Sequence, residues 1–153
     1  MGEILVRKAT LKDLEVLLEY EQGVIEAERP YDPTLAENPI LYYDLPELIS
    51  SSDAEVVVGV AASRVIGCGY ALIKKAKHYL DHEEYAYLGF MYTHPDFRGN
   101  GVNSKILDVL KSWATEKEVS EIRLTVYDEN ASAIRAYEKY GFKKHIIEMR
   151  LPG

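Results

Sequence analysis

The residues in this chain best placed to do chemistry are Arg98, Gly99, Asn100, Gly101, Val102, Asn103 and Ser104, where an apolar stretch gives way to a helical pattern. Two glycines let the backbone turn tightly and leave its amides open to a ligand. A helix beginning at such a turn offers unpaired N–H groups and the positive end of its dipole, a ready anion site with Arg98 beside it. On local sequence alone, a plain strand-to-helix connection has equal standing. Metal chemistry is not expected: of His78, His82, His94, His145 and Cys68, only His78 and His82 have ligand-like spacing, and a pair needs further ligands. Cys68 lies in an apolar run and reads as a small core residue.

The flanking elements decide whether the turn is positioned. Residues 85–92, aromatic and free of charge, read as a strand. From Val102, the recurrence of Ile106, Val109, Leu110 and Trp113 predicts a helix to about residue 117. Upstream, residues 4–6 predict a short strand. Thr10 and Asp13 approximate a capping box for a helix running into the twenties. The acidic flank of that helix, Glu15, Glu19, Glu21, Glu26 and Glu28, reads as solvated surface. Pro30, Pro33, Pro39 and Pro46 interrupt residues 29–53, leaving room for one short helix near 45–50. Tyr31, Tyr42 and Tyr43 in that region suit a pocket wall, a dimer contact or core caps.

Residues 55–61 and 65–73 predict a hairpin, and 121–126 alternate as a strand. Asn130 caps a helix over 131–140 that Gly141 stops, and Phe142 with residues 146–149 predicts a last strand. Hairpins first and crossovers later give an α/β domain over 1–153, with a mixed, mostly antiparallel sheet and helices on both faces.

Composition narrows the partners. The formal net charge is −7, with 18 basic and 25 acidic residues, which argues against a general nucleic-acid binder. The lone cysteine cannot form an internal disulfide, the first residues lack a signal-peptide pattern, and no stretch predicts a membrane span. A cytoplasmic protein is expected.

Two segments together carry a resemblance. Arg98-Gly99-Asn100-Gly101-Val102-Asn103 is similar to the Arg/Gln-x-x-Gly-x-Gly/Ala loop of GNAT-family N-acetyltransferases. Residues 126–142, with Asn130, Ala133, Tyr137, Gly141 and Phe142, resemble that family's later Asn, Ala, Tyr and Gly-Phe pattern. One position departs: Asn103 stands where the family has Gly or Ala, and its side chain takes space near the diphosphate. The resemblance implies splayed central strands and acetyl-CoA as donor substrate. The amides of Gly99 to Ser104 would hold the pyrophosphate, and the backbone of Met91, Tyr92 and Thr93 the pantetheine arm. Arg98 would touch a phosphate or lie solvated. Asn130 and Tyr137 share one side of their helix with Ala133. Asn130 would bind the pantetheine amide, serve as a helix cap, or both; Tyr137 would act on the leaving thiolate or pack in the core.

The implied reaction is direct attack by an amine, which must first lose a proton. The position that holds a glutamate base in some relatives is Tyr87 here. Glu84 is the nearest acidic substitute, ahead of Glu83, His82 and His78, so Glu84 and Tyr137 are the expected catalytic pair. A small cationic amine is the expected acceptor. A protein or peptide amine and a non-catalytic acyl-CoA sensor are the alternatives, and a homodimer is a family-level expectation.

Overall fold

The computed structural model describes residues 2–153. Strand β1 is Leu5–Lys8, followed by a 3-10 turn and helix α1, Leu14–Glu28, then helix α2, Leu45–Ser50. Strands β2 (Ala54–Ala61), β3 (Arg64–Lys75) and β4 (Glu84–Thr93) follow. Helix α3 is Val102–Glu116, strand β5 is Ile122–Arg123 and helix α4 is Ala131–Tyr140. The sheet order is β1-β2-β3-β4-β5. Neighbours are antiparallel except β4 and β5, which run parallel.

Period-two alternation along β2 divides the core. Val56 and Val58 face α1 and α2 with Leu17, Tyr20, Leu45 and Phe90. Val57 faces the other way, with Ile66, Leu88, Val102, Ile106 and Leu110 under α3. Close approach of α3 depends on glycines in β3. A Cβ on Gly67 would lie 2.8 Å from Val102 Cγ1, and one on Gly69 2.9 Å from Ile106 Cγ2. Without those side chains, the start of α3 sits flat against the sheet.

Entry into α1 is fixed by a real capping box. Thr10 Oγ1 accepts from the Lys12 amide (3.3 Å), and the Asp13 carboxylate accepts from the Thr10 amide (2.8 Å). The Arg7 guanidinium adds two hydrogen bonds to Asp13, at 2.8 and 2.9 Å. It is the main reason the Asp13 carboxyl sits below its usual range. A lowered carboxylate stabilises the fold above the unfolded-state pKa and loses that contribution as pH falls through the folded value. Asp13→Ala is therefore expected to cost about 2 kcal/mol at neutral pH, read by urea unfolding, with the deficit shrinking in acid.

Two strand expectations change. The strand read over 121–126 pairs only at Ile122 and Arg123, opposite Ala86 and Tyr87, because the chain then diverges from β4. The strand expected from Phe142 through 149 is not in the sheet; residues 143–151 are exposed and irregular. Local alternation predicts extended backbone, but a strand also needs an edge to join, and this one meets none within its own chain.

Candidate functional site

β4 and β5 share only two register pairs, after which β4 continues to Thr93 while residues 124–127 move away. The result is a fork with its closed end at Ala86 and Tyr87. Tyr87 bridges the fork, its hydroxyl 2.7 Å from Thr125 Oγ1. On the opposite side of β4 the register to β3 slips: Cys68 faces Tyr92 and Tyr70 faces Gly89, leaving Phe90 and Met91 outside the one-to-one ladder. Phe90 has φ 55°, a conformation uncommon for a bulky residue. This is a β-bulge, a device that re-aims backbone groups beside a site. It places Met91, Tyr92 and Thr93 along the open arm of the fork.

The chain leaves Thr93 through a 3-10 turn, Pro95–Phe97, and reaches the glycine-rich loop. Gly99 and Gly101 have φ of 81° and 79°, with open space where a Cβ would stand. Gly101 is the N-cap of α3 and supplies no side chain to the first turn, which carries no acidic residue. Among the described residues, no backbone acceptor meets the amides of Gly99 through Ser104. The loop's own side chains brace it instead. Arg98 Nε donates to the Thr93 carbonyl (3.2 Å), and Asn100 Nδ2 to the carbonyls of Phe97 (3.0 Å) and Arg98 (3.2 Å). Val102 is buried under the sheet, Asn103 is half-buried and Ser104 exposed. Six free amides at a helix N-terminus, with empty space over two glycines, fit a diphosphate.

α4 packs beside α3, with Tyr137, Tyr140 and Phe142 against the core under α3 and the Tyr140 hydroxyl donating to Asp108 at 2.6 Å. Asn130 caps it, Oδ1 accepting from the Ala133 amide at 3.2 Å. Tyr137 is half-buried against Phe142, ring centroids 5.7 Å apart. Burial, then the charges of Glu28 and Tyr87, push its phenol up to about 12. Tyr137 packs against the core formed by Val57, Leu88, Val102 and Ile106, near enough to Glu28 and Tyr87 to feel their charges.

Residues 29–43 form the remaining wall. The buried Glu21 carboxylate anchors this segment by accepting from the amides of Tyr42 (2.6 Å) and Tyr43 (2.8 Å). Tyr31 stacks on Tyr127 at 6.0 Å, and the Tyr127 hydroxyl donates to Asp32 at 3.1 Å. Tyr42 turns a buried hydroxyl inward without a hydrogen bond of good geometry. Burial and the Glu28 carboxylate beside it raise that phenol. Glu28 itself is half-buried and its carboxyl is raised, chiefly by burial, with Tyr42 opposing and Asp32 adding. Glu28, Asp32, Tyr42, Tyr127 and Tyr137 thus form one acidic, aromatic cluster.

Glu84 is not brought to this cluster. It begins β4 opposite Lys75, beyond the closed end of the fork, and is exposed. Seven strand residues, about 23 Å, separate it from Met91. Glu28 and Tyr127 were the residues that sequence reasoning missed. Glu28 looked like one more charge on a helix flank, and only its burial distinguishes it.

Comparison with known proteins agrees with this architecture. A family model described as the acetyltransferase (GNAT) family matches residues 20–142. The BH1408 protein of Bacillus halodurans has a solved tetramutant structure that superposes with TM-score 0.84 at 21% identity, covering 97% of this chain and 99% of that one. A predicted acetyltransferase from Clostridium acetobutylicum, solved with acetyl-CoA, gives TM-score 0.72 at 20% identity over 98% and 96%. By sequence, the thialysine N-epsilon-acetyltransferase of Sus scrofa is 38% identical over 55 residues, 36% of this chain. The match spans about a third (32%) of that relative's length. The fork, the bulge and the glycine-rich helix start therefore stand in a known setting: the chain belongs to the GNAT acetyltransferase family.

Proposed function

We propose that this protein transfers an acetyl group from acetyl-CoA to the primary amine of a small cationic acceptor, by direct attack and without an acyl-enzyme. The observation that carries this reading is the row of free amides from Gly99 to Ser104 at the mouth of a fork whose other wall is acidic and aromatic. When bound, acetyl-CoA supplies an activated acyl group as a thioester. The amides of Gly99, Asn100, Gly101, Val102, Asn103 and Ser104 hold the pyrophosphate, and Arg98 braces the loop. Backbone at Met91, Tyr92 and Thr93 lines the arm, together with Asn130 and Ala133, and a Met91 amide freed by the bulge is suited to polarise the carbonyl.

Glu28 and Asp32 attract the ammonium, and Tyr31, Tyr42 and Tyr127 enclose its alkyl body. We assign the general base to Glu28, acting directly or through a water, in place of Glu84. A carboxylate raised by burial is a better match to an ammonium proton than an ordinary surface one. Tyr137 stays protonated at neutral pH and gives its proton to the leaving sulfur.

Solved neighbours with this fold include an aminoglycoside N-acetyltransferase in complex with CoA and a glucosamine-6-phosphate N-acetyltransferase from Arabidopsis thaliana, both named for small amine acceptors. The buried, unpaired Cys68 suits a reducing compartment, and we propose the cytoplasm. The test is CoA thiol release across polyamines, aminosugars, aminoglycosides and peptides. Turnover on a small cationic amine is expected. Turnover on peptides alone would reassign the acceptor, and tight acetyl-CoA binding without any release would make the chain an acyl-CoA sensor.

The loop can be tested separately. In Gly101→Val, a branched side chain is forced to φ near 79°, which costs about 1–2 kcal/mol, and fills the cradle. Acetyl-CoA affinity by calorimetry is expected to fall about tenfold or more. Unchanged affinity would remove the loop from the binding site.

A further inference from the structure

We infer, resting on the acetyl transfer proposed above, that Glu21 is its positioning residue: a buried anchor that holds the acceptor wall closed over Glu28 and, through the same two tyrosines, braces the bulge in β4. Glu21 is 0% exposed, so it meets neither donor nor acceptor itself. Its Oε2 accepts from the amides of Tyr42 and Tyr43 at 2.6 and 2.8 Å. Its Oε1 has no hydrogen-bond partner among the described residues.

An enclosed carboxyl group with one oxygen unpaired is a costly way to fill a core position, and an apolar side chain of the same size would serve packing better. What the carboxylate adds is direction. Two successive N–H groups converging on one oxygen bend the chain there and fix which way each side chain leaves it. Gln22, the next residue of α1, donates to the Ile40 carbonyl at 3.0 Å, and Asp44 caps α2 immediately afterwards. The bend is therefore held from both sides.

From that bend the two tyrosines reach different parts of the site. Tyr42 lies beside Glu28, which shares a face of α1 with Glu21, two turns further on. Tyr43 packs on Phe90, the bulge residue with φ 55°, at 4.9 Å between ring centroids, and meets Tyr70 edge-on at 5.4 Å. Tyr70 fills the space left by Gly89, where a Cβ would stand 2.7 Å from its ring. Cys68 Sγ donates to the Phe90 carbonyl at 3.5 Å. The bulge that frees the Met91 amide is thus packed by a ring whose backbone Glu21 holds.

The groups facing Glu28 are Tyr42, Tyr43 and Asp32 from the wall, Tyr127 beyond β5 and Tyr137 on α4. Burial raises its carboxyl more than the Tyr42 hydroxyl lowers it, so releasing the wall lets it fall toward the ordinary glutamate value. Glu21→Met keeps the volume and removes the acceptor, whereas Glu21→Gln keeps an oxygen for both amides. Glu21→Met is expected to lower kcat/KM for the amine about 30-fold and to move the acidic limb of the pH–rate profile to lower pH. Its acetyl-CoA dissociation constant should stay within about threefold of wild type, and Glu21→Gln should stay within about threefold in every parameter. A limb that holds its place or rises in Glu21→Met, or a Glu21→Gln as impaired as Glu21→Met, would overturn the inference. Carbon NMR titration of the Glu28 carboxyl reads the same shift without turnover. A wild type inactive on every amine would therefore defeat the transfer reading, while the titration still decides the anchor. If Glu21→Met does not fold, hydrogen exchange on the wild type decides. The amides of Tyr42 and Tyr43 are expected to exchange as slowly as those in the middle of α1, and exchange at open-loop rates would contradict the anchor.

Discussion

Tyr137→Phe is expected to lower kcat by about 100-fold while changing the dissociation constant of acetyl-CoA by less than about threefold. The phenol is held near pKa 12, first by burial and then by Glu28 and Tyr87, so it is a full proton donor throughout the neutral range. Phenylalanine keeps the ring against Phe142 and removes only the proton. A thiolate leaving without a donor is the step that suffers, and an activated thioester with a more acidic leaving thiol should recover much of the loss. A variant with wild-type kcat would return Tyr137 to a packing role. Because the donor titrates only near 12, the wild-type pH profile should show no alkaline loss from this residue below about pH 10.

Glu28→Gln is expected to lower kcat/KM by about 100-fold or more and to abolish the acidic limb of the pH–rate profile. The sign follows from burial. The carboxyl is raised, so the competent carboxylate form fills only as pH climbs past the ordinary glutamate value, and activity should rise with it. The same shift acts oppositely on the fold. Between the unfolded and folded pKa values the native state binds more protons, so ionising Glu28 destabilises the protein. Glu28→Gln should then be at least as stable as wild type at neutral pH while being far less active, a separation that general misfolding cannot produce. Glu84→Gln is the matched control and should leave the profile unchanged. A shift with Glu84 and none with Glu28 would restore the strand-entry carboxylate as base.

The parts of this molecule that could be read from residues alone are those written in local patterns. The glycine pair at 99 and 101, the helix that follows, the Asn130 cap and the Gly141 stop each depend on a few neighbouring residues, and each appears where its chemistry places it. The apolar runs at 55–61 and 65–73 likewise read as a hairpin and form one. What escaped is non-local. Nothing about Phe90 as a residue type signals φ 55°; the bulge arises from register between β3 and β4. Glu28 differs from Glu26 because the segment carrying Asp32 and Tyr42 folds back over it and Tyr137, more than a hundred residues on, comes near it. Glu84 was favoured for its nearness in sequence to the strand, but a strand carries its first residue far from its last. Residues 146–149 have strand chemistry but pair with no strand of the sheet, which local alternation cannot reveal.

The central claim is that the turn into α3 grips a diphosphate and so aims the fork at an acyl donor. An amide-resolved NMR titration with acetyl-CoA tests it most directly. Saturable shifts confined to Gly99 through Ser104, with Met91 through Thr93 following along β4, are the expected result. Saturating acetyl-CoA that leaves those amides undisturbed, or moves only residues elsewhere on the surface, would contradict the account.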